Sequence, residues 1–420
     1  MSTPTIESEV RSYCRNWPVV FHQGRGSRLF DRDGRGYLDF FAGAGALNYG
    51  HNHPVLKRAL LDYLEQDGVT HSLDMFTSAK EAFLAEFAAR VLEPRRLDYR
   101  VQFPGPTGTN SVEAALKLAR KVTGRQGVVA FTGAFHGMSL GALAVTGNAE
   151  KRAGAGVPLN QVWRLPYDGF AGGEISGLKL LDGMLADSSS GMDLPAAVIV
   201  ETVQGEGGVN PAGPAWLADL ADLCHRRGIL LIIDDIQMGC GRTGPFFSFE
   251  SVGITPDIVC ISKSISGYGL PMALTLFRSE LDVWQPGEHN GTFRGNNPAF
   301  VTGAAALREF WSDSSLEKQT GERALLLQET LGELADRHAQ HVAQARGRGL
   351  AWGLAFRDPG TARQVADAAF ARGLLVETSG SRDEVVKLLP PLTATGEELA
   401  EGLELLSEAT AAATGSRAHA

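Results

Sequence analysis

The sequence predicts an α/β protein with a mainly parallel sheet, and three observations support that prediction. From about residue 99, short apolar runs typical of buried strands alternate with longer segments of helical periodicity. Several of these strands are apolar throughout, as expected when helices cover both faces of a parallel sheet. Glycine makes up 50 of 420 residues without a Gly-X-Y period, which indicates tight turns and close backbone approaches to a ligand.

The predicted elements fall into three stretches of the chain. The first has short strands and two helices, expected at 19–21, 28–31, 37–41, 54–63 and 77–91. The second alternates strands and helices, expected at 99–103, 110–123, 127–131, 196–201, 215–227, 229–234 and 258–262. The third begins with a long helix and continues with strands and a last helix, expected at 316–344, 349–356, 374–377, 385–388 and from Glu397.

These stretches predict a large domain and a smaller α+β domain built from both ends of the chain. Residues 1–75 are assigned to an N-terminal arm and part of the small domain, and residues 76–314 to the large cofactor-binding domain. Residues 315–420 are assigned to the C-terminal small domain. The length fits this division at roughly 150 residues per domain.

Composition and charge exclude several classes of function. The formal net charge is -9, the wrong sign for neutralising nucleic acid phosphates or an anionic membrane surface. The longest strongly apolar run falls short of the roughly 18–20 residues that a membrane span needs, and the N-terminus is polar. The four cysteines show neither CxxC nor metal-ligand spacing, so we expect reduced core thiols, no metal and a cytoplasmic location.

Three segments follow predicted strands in the way that ligand sites do in open α/β sheets. Gly108, Thr109 and Asn110 open a helix, where free backbone amides would hold a phosphate, although a plain turn is an alternative. Asp234 and Asp235 end an apolar strand and point to opposite faces, so one of them could hold a cationic ring nitrogen.

The third segment places Lys263 just after a buried strand and before a glycine-rich loop. Low-dielectric surroundings lower the pKa of a lysine and make its amine available for Schiff-base formation, although a lone lysine is usually solvated. A phosphate cradle, a strand-end acid and such a lysine are the three contacts that pyridoxal phosphate (PLP) requires.

The chain resembles the class III, or omega, aminotransferases of fold-type I PLP enzymes over nearly its whole length. Each motif alone is weak, but the ordered set is specific. In chain order the matching segments are 43–54 (GAGALNYGHNHP), 107–109, 113–120, 133–137, 201–205, 234–237, 241–244, Lys263, 292–296 and 389–392.

The resemblance implies a role for each matching site residue. Lys263 would form the Schiff base with PLP and shuttle the substrate proton, and Asp234 would bind the pyridinium nitrogen. Phe135 would stack on the ring, with His136 nearby and Gln237 reaching the phenolic oxygen. The phosphate would be held by Gly108 and Thr109 and, across the interface of a homodimer or higher homo-oligomer, by Thr292 of the partner subunit.

Substrate binding is expected to depend on Glu201 and Lys387. In similar enzymes a glutamate matching Glu201 pairs with an arginine before a Pro-Pro-Leu segment and so admits an amino group and then the carboxylates of glutamate. Lys387 stands where that arginine would be, and lysine offers a point charge without the bidentate fork. A merely solvated Lys387 is the alternative.

Within the family, the motifs look most like those of the diaminobutyrate 2-oxoglutarate transaminases of ectoine biosynthesis, an osmoprotection pathway. The implied reaction moves the amino group of L-glutamate onto L-aspartate 4-semialdehyde, giving L-2,4-diaminobutyrate and 2-oxoglutarate. The alternatives are another omega-aminotransferase, acting on ornithine, 4-aminobutyrate or siderophore-pathway diaminobutyrate, or a PLP racemase or aminomutase on the same scaffold.

Overall fold

The computed structural model describes residues 6–415, so residues 1–5 of the predicted N-terminal arm and residues 416–420 of the predicted C-terminal domain lie outside the described residues. The N-terminal stretch forms a small sheet followed by two helices. Its elements are α1 (Tyr13–Asn16), β1 (Phe21–Arg25), β2 (Arg28–Asp31), β3 (Gly36–Asp39), α2 (Ala42–Gly45), α3 (Pro54–Glu65) and α4 (Ser78–Phe87).

The middle stretch contains the alternating strands and helices. Its elements are β4 (Tyr99–Gln102), α5 (Gly108–Thr123), β5 (Val128–Phe131), α6 (Leu140–Val145), α7 (Ala149–Ala153), β6 (Val162–Leu165), α8 (Gly177–Ala186), β7 (Ala197–Val200), β8 (Val203–Gln204), β9 (Asn210–Pro211), α9 (Pro214–Arg227), β10 (Leu230–Asp234), β11 (Ile258–Ile261), β12 (Leu274–Arg278) and α10 (Asn297–Phe310).

The C-terminal stretch contains a long helix, a second small sheet and a final helix. Its elements are α11 (Ser315–Arg337), β13 (Val342–Arg348), β14 (Ala351–Phe356), α12 (Pro359–Arg372), β15 (Leu374–Leu375), β16 (Glu377–Ser379), β17 (Val385–Leu388) and α13 (Gly396–Thr414). None of the helices within residues 6–415 is long and apolar enough to cross a lipid bilayer.

The central sheet has seven strands in the order β4-β12-β11-β10-β7-β5-β6, and β12 alone runs antiparallel to its neighbours. Strands β5, β7, β10 and β11 are buried at every residue. Successive residues enter different cores: Leu230 packs with the α5 side of the sheet and Leu231 with the opposite side. The predicted α/β class, with a mainly parallel seven-stranded sheet covered on both faces, is confirmed.

Both ends of the chain contribute to the small sheets. Strand β15 extends the N-terminal sheet by pairing parallel with β3, and the backbone amide of Leu389 donates to the carbonyl of Phe40 at 2.7 Å. Strands β13, β14, β17 and β16 form the second small sheet. The exact domain limits at 75/76 and 314/315 stay a prediction.

Among the differences from the predicted elements, two concern the sheets directly. The helix predicted at 316–344 ends at Arg337, and β13 begins at Val342, because a hairpin through Gly349 (φ +60°) pairs β13 with β14. Strands β6 and β12 are absent from the predicted elements. The hydrogen bonds that hold them come from β5, β4 and β11, which local periodicity does not reveal.

Candidate active site

A cavity of about 200 Å³ lies beyond the carboxyl ends of several strands of the central sheet. This is where ligands bind in open α/β folds. Eight predicted site residues line it: Gly108, Thr109, Phe135, His136, Glu201, Asp234, Gln237 and Lys263. The structure therefore brings most of the predicted site together, from segments 155 residues apart in the sequence.

The N-terminus of α5 forms one end of the cavity. Thr107 and Asn110 exchange capping hydrogen bonds, so Asn110 serves the helix, while Gly108 and Thr109 line the cavity. A Cβ on Gly108 would lie 3.0 Å from the side chain of Ile236, so glycine permits close packing here. An N-terminus of a helix of 16 residues, with its free amides and dipole, suits a phosphate.

The hydroxyl of Thr109 is oriented by a network that the sequence does not indicate. It hydrogen-bonds the hydroxyl of Ser139, which donates to Oε1 of Glu113 at 2.6 Å. The same Glu113 oxygen accepts from the backbone amide of Ala142 at 3.0 Å. Thr109 is thereby held with its side chain beside the helix N-terminus.

Asp234, and not Asp235, faces the cavity. Asp234 continues the face of β10 that packs against α5, and its Oδ2 lies 2.7 Å from Nδ1 of buried His136. Burial opposes a charged imidazole, but the bond to Asp234 raises the pKa of His136 above its ordinary value. Asp235 points to the other core and accepts from the amide of Ser248 at 3.0 Å. Burial raises the pKa of Asp235 to about 7.

Lys263 follows β11 in a short helical turn with a left-handed backbone (φ +52°). Its Nζ donates to the carbonyl of Ala44 at 2.8 Å. Burial lowers the pKa of Lys263, and the negative charge of Glu206 partly offsets that effect. The lysine therefore combines cavity access with an amine that loses its proton more easily than a surface lysine.

The carbonyl of Ala44 is a shared acceptor that sequence reasoning missed. It also accepts from Nε2 of Gln237 at 3.0 Å. Ala42 and Ala44 both have positive φ, +47° and +55°, which costs energy in residues with a Cβ. Oδ1 of Asp39 stabilises the turn by accepting from the amides of Phe41 and Ala42.

Lys387 is not solvated: its side chain is fully buried between two carboxylates. Its Nζ lies 2.6 Å from Oε1 of Glu206 and 3.0 Å from Oε1 of Glu377. Glu377 stands directly opposite Lys387 in the β16–β17 ladder, which explains the contact. The expectation that Glu201 pairs with Lys387 is wrong; Glu206, five residues further on, is the partner.

The charges of this cluster are coupled. Burial disfavours both ionised forms, but attraction to Lys387 lowers the pKa of Glu206 to about 2. The two carboxylates raise the pKa of Lys387 despite its burial. Burial is the largest effect at Glu377 and raises its pKa, although Lys387 opposes this. Glu206 and Lys387 are thus held as an ion pair, with Glu377 close to both.

Glu201 has a different environment from the predicted one. Its Oε2 accepts from the backbone amide of Phe135 at 3.0 Å. Burial raises the pKa of Glu201 to about 8, with His136 lowering it and Asp234 raising it further. Glu201 therefore supports the segment that carries Phe135 while still lining the cavity.

Two further residues, Tyr13 and Thr292, differ in their relation to this site. The side chain of Tyr13, on α1, is partly exposed, and its ring lies 4.9 Å from that of Phe41. Loss of water around its phenol and the nearby charges of Glu377 and Glu206 raise the pKa of Tyr13. Thr292, in contrast, does not reach the cavity of its own chain. Its side chain is exposed, and its carbonyl lies 3.0 Å from Nε2 of His71.

The family model of the class III aminotransferases matches residues 11–410, almost the whole chain. The chain belongs to this family.

The curated relatives are more specific. Diaminobutyrate–2-oxoglutarate transaminases from Streptomyces avermitilis and Nocardia farcinica are each 63% identical over 96% of this chain, covering 96% and 92% of their own lengths. Among solved structures, the ornithine aminotransferase of Toxoplasma gondii, described with partial occupancy of PLP at its active site, is 27% identical with a TM-score of 0.83. That match covers 97% of this chain and 91% of the other.

Proposed function

We propose that this chain is a PLP-dependent transaminase that transfers the amino group of L-glutamate to L-aspartate 4-semialdehyde, giving L-2,4-diaminobutyrate and 2-oxoglutarate. The observation that carries the proposal is one cavity lined by a helix N-terminus, a strand-end carboxylate and a buried lysine. The names of the 63% identical relatives support this choice of substrates.

The residues present fit PLP by their chemistry. The free amides at Gly108 and Thr109 suit a phosphate, the carboxylate of Asp234 suits a protonated ring nitrogen, and Lys263 supplies a primary amine. When bound, PLP supplies an electron sink for the carbanion chemistry of amino-group transfer. Phe135 would cover one face of the ring, and Gln237 would reach the phenolic oxygen.

The protein groups then have separate roles. Lys263 would move the proton of the substrate carbon, a role for which its lowered pKa suits it. Asp234 would hold the proton on the ring nitrogen, and His136, at 2.7 Å, would orient that carboxylate and stabilise its charge. The neighbouring Asp235 takes no part, because it faces the opposite core.

Lys387 and Glu206 would let one cavity accept two kinds of amino donor. With diaminobutyrate, the reacting carbon bears no carboxylate, and the 2.6 Å ion pair can stay closed. With glutamate, the α-carboxylate would replace Glu206 beside Lys387. Glu377, on a separate strand, would remain as a second neighbour of the lysine.

The active enzyme would be a homodimer or a higher homo-oligomer in the cytoplasm. Thr292 would complete the phosphate site from the partner subunit, consistent with its exposed position away from the cavity of its own chain. The cysteines described in the structure, Cys14, Cys224, Cys240 and Cys260, are free thiols, as a reducing compartment requires. The reaction would be the first step of ectoine biosynthesis and so serve osmoprotection.

The test is product formation by the purified protein. It is supplied with [15N]glutamate and L-aspartate 4-semialdehyde, and the products are identified by mass spectrometry. We expect 15N-labelled diaminobutyrate and 2-oxoglutarate in equal amounts. In parallel reactions, glutamate semialdehyde and succinate semialdehyde replace L-aspartate 4-semialdehyde as the acceptor. Faster amino transfer to the first would assign an ornithine specificity, and faster transfer to the second a 4-aminobutyrate specificity. Amino acid interconversion without net exchange between donor and acceptor would indicate a racemase or an aminomutase.

A further inference from the structure

The substrates of the proposed reaction need a second cation. Glutamate and 2-oxoglutarate each carry two carboxylates, and Lys387 can meet the one on the reacting carbon. The cavity-lining residues include one lysine, Lys263, which is the reacting amine, and no arginine. The distal carboxylate therefore needs a positive group just outside this lining, because a carboxylate removed from water is stabilised only when paired.

Lys151 is a cation next to Phe135, one of the residues that line the cavity. Its Nζ lies 5.5 Å from the centroid of the Phe135 ring, and Phe135 lines the cavity. Its side chain is exposed. The lysine ion pairs found within residues 6–415 involve Lys121 and Lys387, so the charge of Lys151 is available to a ligand.

The helix that carries Lys151 is fixed to the segment that carries Phe135. The amide of Gly147 donates to the carbonyl of Ala134 at 2.7 Å, and a Cβ on Gly147 would lie only 3.1 Å from the amide nitrogen of Gly133. At the start of α7, the side chain of Asn148 accepts from the amide of Lys151 at 3.0 Å. These contacts define the position of the Lys151 backbone relative to the cavity.

The two amino donors present their distal carboxylate at the same distance. In glutamate, two carbons separate the reacting carbon from the distal carboxylate. In diaminobutyrate, which reacts at its terminal amine, two carbons likewise separate the reacting carbon from the only carboxylate. One cation can therefore serve both donors, whereas a cation at the reacting carbon is useful only to glutamate.

We propose that Lys151 is a specificity-determining residue that binds the distal carboxylate shared by glutamate, 2-oxoglutarate and diaminobutyrate. This inference rests on the proposed function. The two cations then have different roles. Lys151 binds the distal carboxylate that both donors carry, and Lys387 binds the carboxylate on the reacting carbon, which only glutamate carries.

The experiment compares Lys151→Met with Lys151→Arg and a matched control, Lys179→Met. Lys179 is also exposed and also the third residue of a helix, with its amide bound by the N-cap side chain of Ser176. Single-turnover spectra follow each donor half-reaction of the holoenzyme with glutamate, diaminobutyrate and L-2-aminobutyrate, which is glutamate without the distal carboxylate.

We expect Lys151→Met to lower kcat/KM about ten-fold for glutamate and for diaminobutyrate, mainly through KM, as the loss of one charged contact implies. The rate with L-2-aminobutyrate should not change, Lys151→Arg should restore both donors, and Lys179→Met should behave like the unmodified protein. Equal losses with L-2-aminobutyrate, or no loss with glutamate, would overturn the proposal. Because these two compounds suffice, the result for Lys151 stands even if diaminobutyrate proves not to be a donor.

Discussion

Nζ of Lys387, whose side chain is fully buried, lies 2.6 Å from Oε1 of Glu206, a partly exposed residue that lines the same cavity as Lys263. Gln237 connects the pair to the reacting amine, because its Nε2 donates both to Glu206 at 3.2 Å and to the carbonyl of Ala44 that Lys263 contacts. Hydrogen bonds therefore connect the Glu206–Lys387 ion pair to Lys263, the amine expected to take part in amino-group transfer.

The first prediction concerns the identity of the carboxylate that pairs with Lys387. In Glu206→Gln, Lys387 keeps only Glu377 as a charged partner, so the α-carboxylate of glutamate meets less competition. We expect the ratio of kcat/KM for glutamate to that for diaminobutyrate to rise about ten-fold, the effect of one charge-assisted contact. Glu201→Gln is the control and should leave the ratio unchanged. A shift in the ratio only with Glu201→Gln would restore Glu201 as the switch residue.

The second prediction concerns the contribution of Lys387 itself. Lys387→Met should cost about 1.5 to 3 kcal/mol in transition-state binding for glutamate, because one charge-assisted contact is lost. The loss with diaminobutyrate should be smaller, since that donor has no carboxylate on its reacting carbon. Single-turnover spectra with each donor measure both losses. Equal losses would mean that Lys387 holds a carboxylate common to both donors or only supports the fold.

The third prediction concerns stability and pH. The folded pKa of Glu206, about 2, lies below its ordinary value, so its ion pair stabilises the folded state above about pH 4.5 and this stabilisation is lost as the pH falls toward 2. Lys387→Met leaves the buried Glu377 and the partly exposed Glu206 without their cation, which should cost up to about 3 kcal/mol at neutral pH, because Glu206 keeps part of its hydration.

In that variant the pKa values of Glu206 and Glu377 should be higher in the folded state than in the unfolded chain, because the cation between them is gone. Lowering the pH from 8 to 5 should then raise the melting temperature of Lys387→Met relative to that of the unmodified protein. Thermal unfolding at matched ionic strength measures the difference. If the difference in melting temperature between the two proteins does not depend on pH, Glu206 and Glu377 do not carry unpaired, mutually repelling negative charges in the variant.

The fourth prediction separates two adjacent acids. Asp234→Asn should keep the cofactor but lose most activity, because a neutral amide cannot hold the proton on the ring nitrogen as a carboxylate does. Asp235→Asn should keep activity once folded and instead lower thermal stability, since Asp235 is buried and bound to the amide of Ser248. Cofactor absorbance, turnover and melting temperature are measured for both. Near-normal turnover in Asp234→Asn would assign the role elsewhere.

Residues that follow directly from strand ends could be predicted from the sequence. Asp234 ends the apolar strand β10, and Lys263 comes two residues after the apolar strand β11; the parallel sheet brings such ends to one edge. The face of Asp234 also follows from alternation along β10, which separates it from Asp235.

The parts that could not be predicted depend on contacts distant in sequence. Glu377 meets Lys387 only because β16 and β17 pair in one register, and Tyr13 reaches Glu377 from the other end of the chain. The sequence does not identify Glu206 as the partner of Lys387, because this glutamate lies only five residues after Glu201 and only the folded loop shows which carboxylate turns toward β17.

The most direct test of the central claim is to locate the lysine that binds the cofactor. The purified protein, as isolated with PLP, is reduced with borohydride, digested and mapped by mass spectrometry. We expect a yellow protein that carries the reduced pyridoxyl group on Lys263, and a Lys263→Ala variant that does not complete transamination cycles. A label on any other lysine, or sustained turnover by Lys263→Ala, would contradict the assignment on which the rest of the site depends.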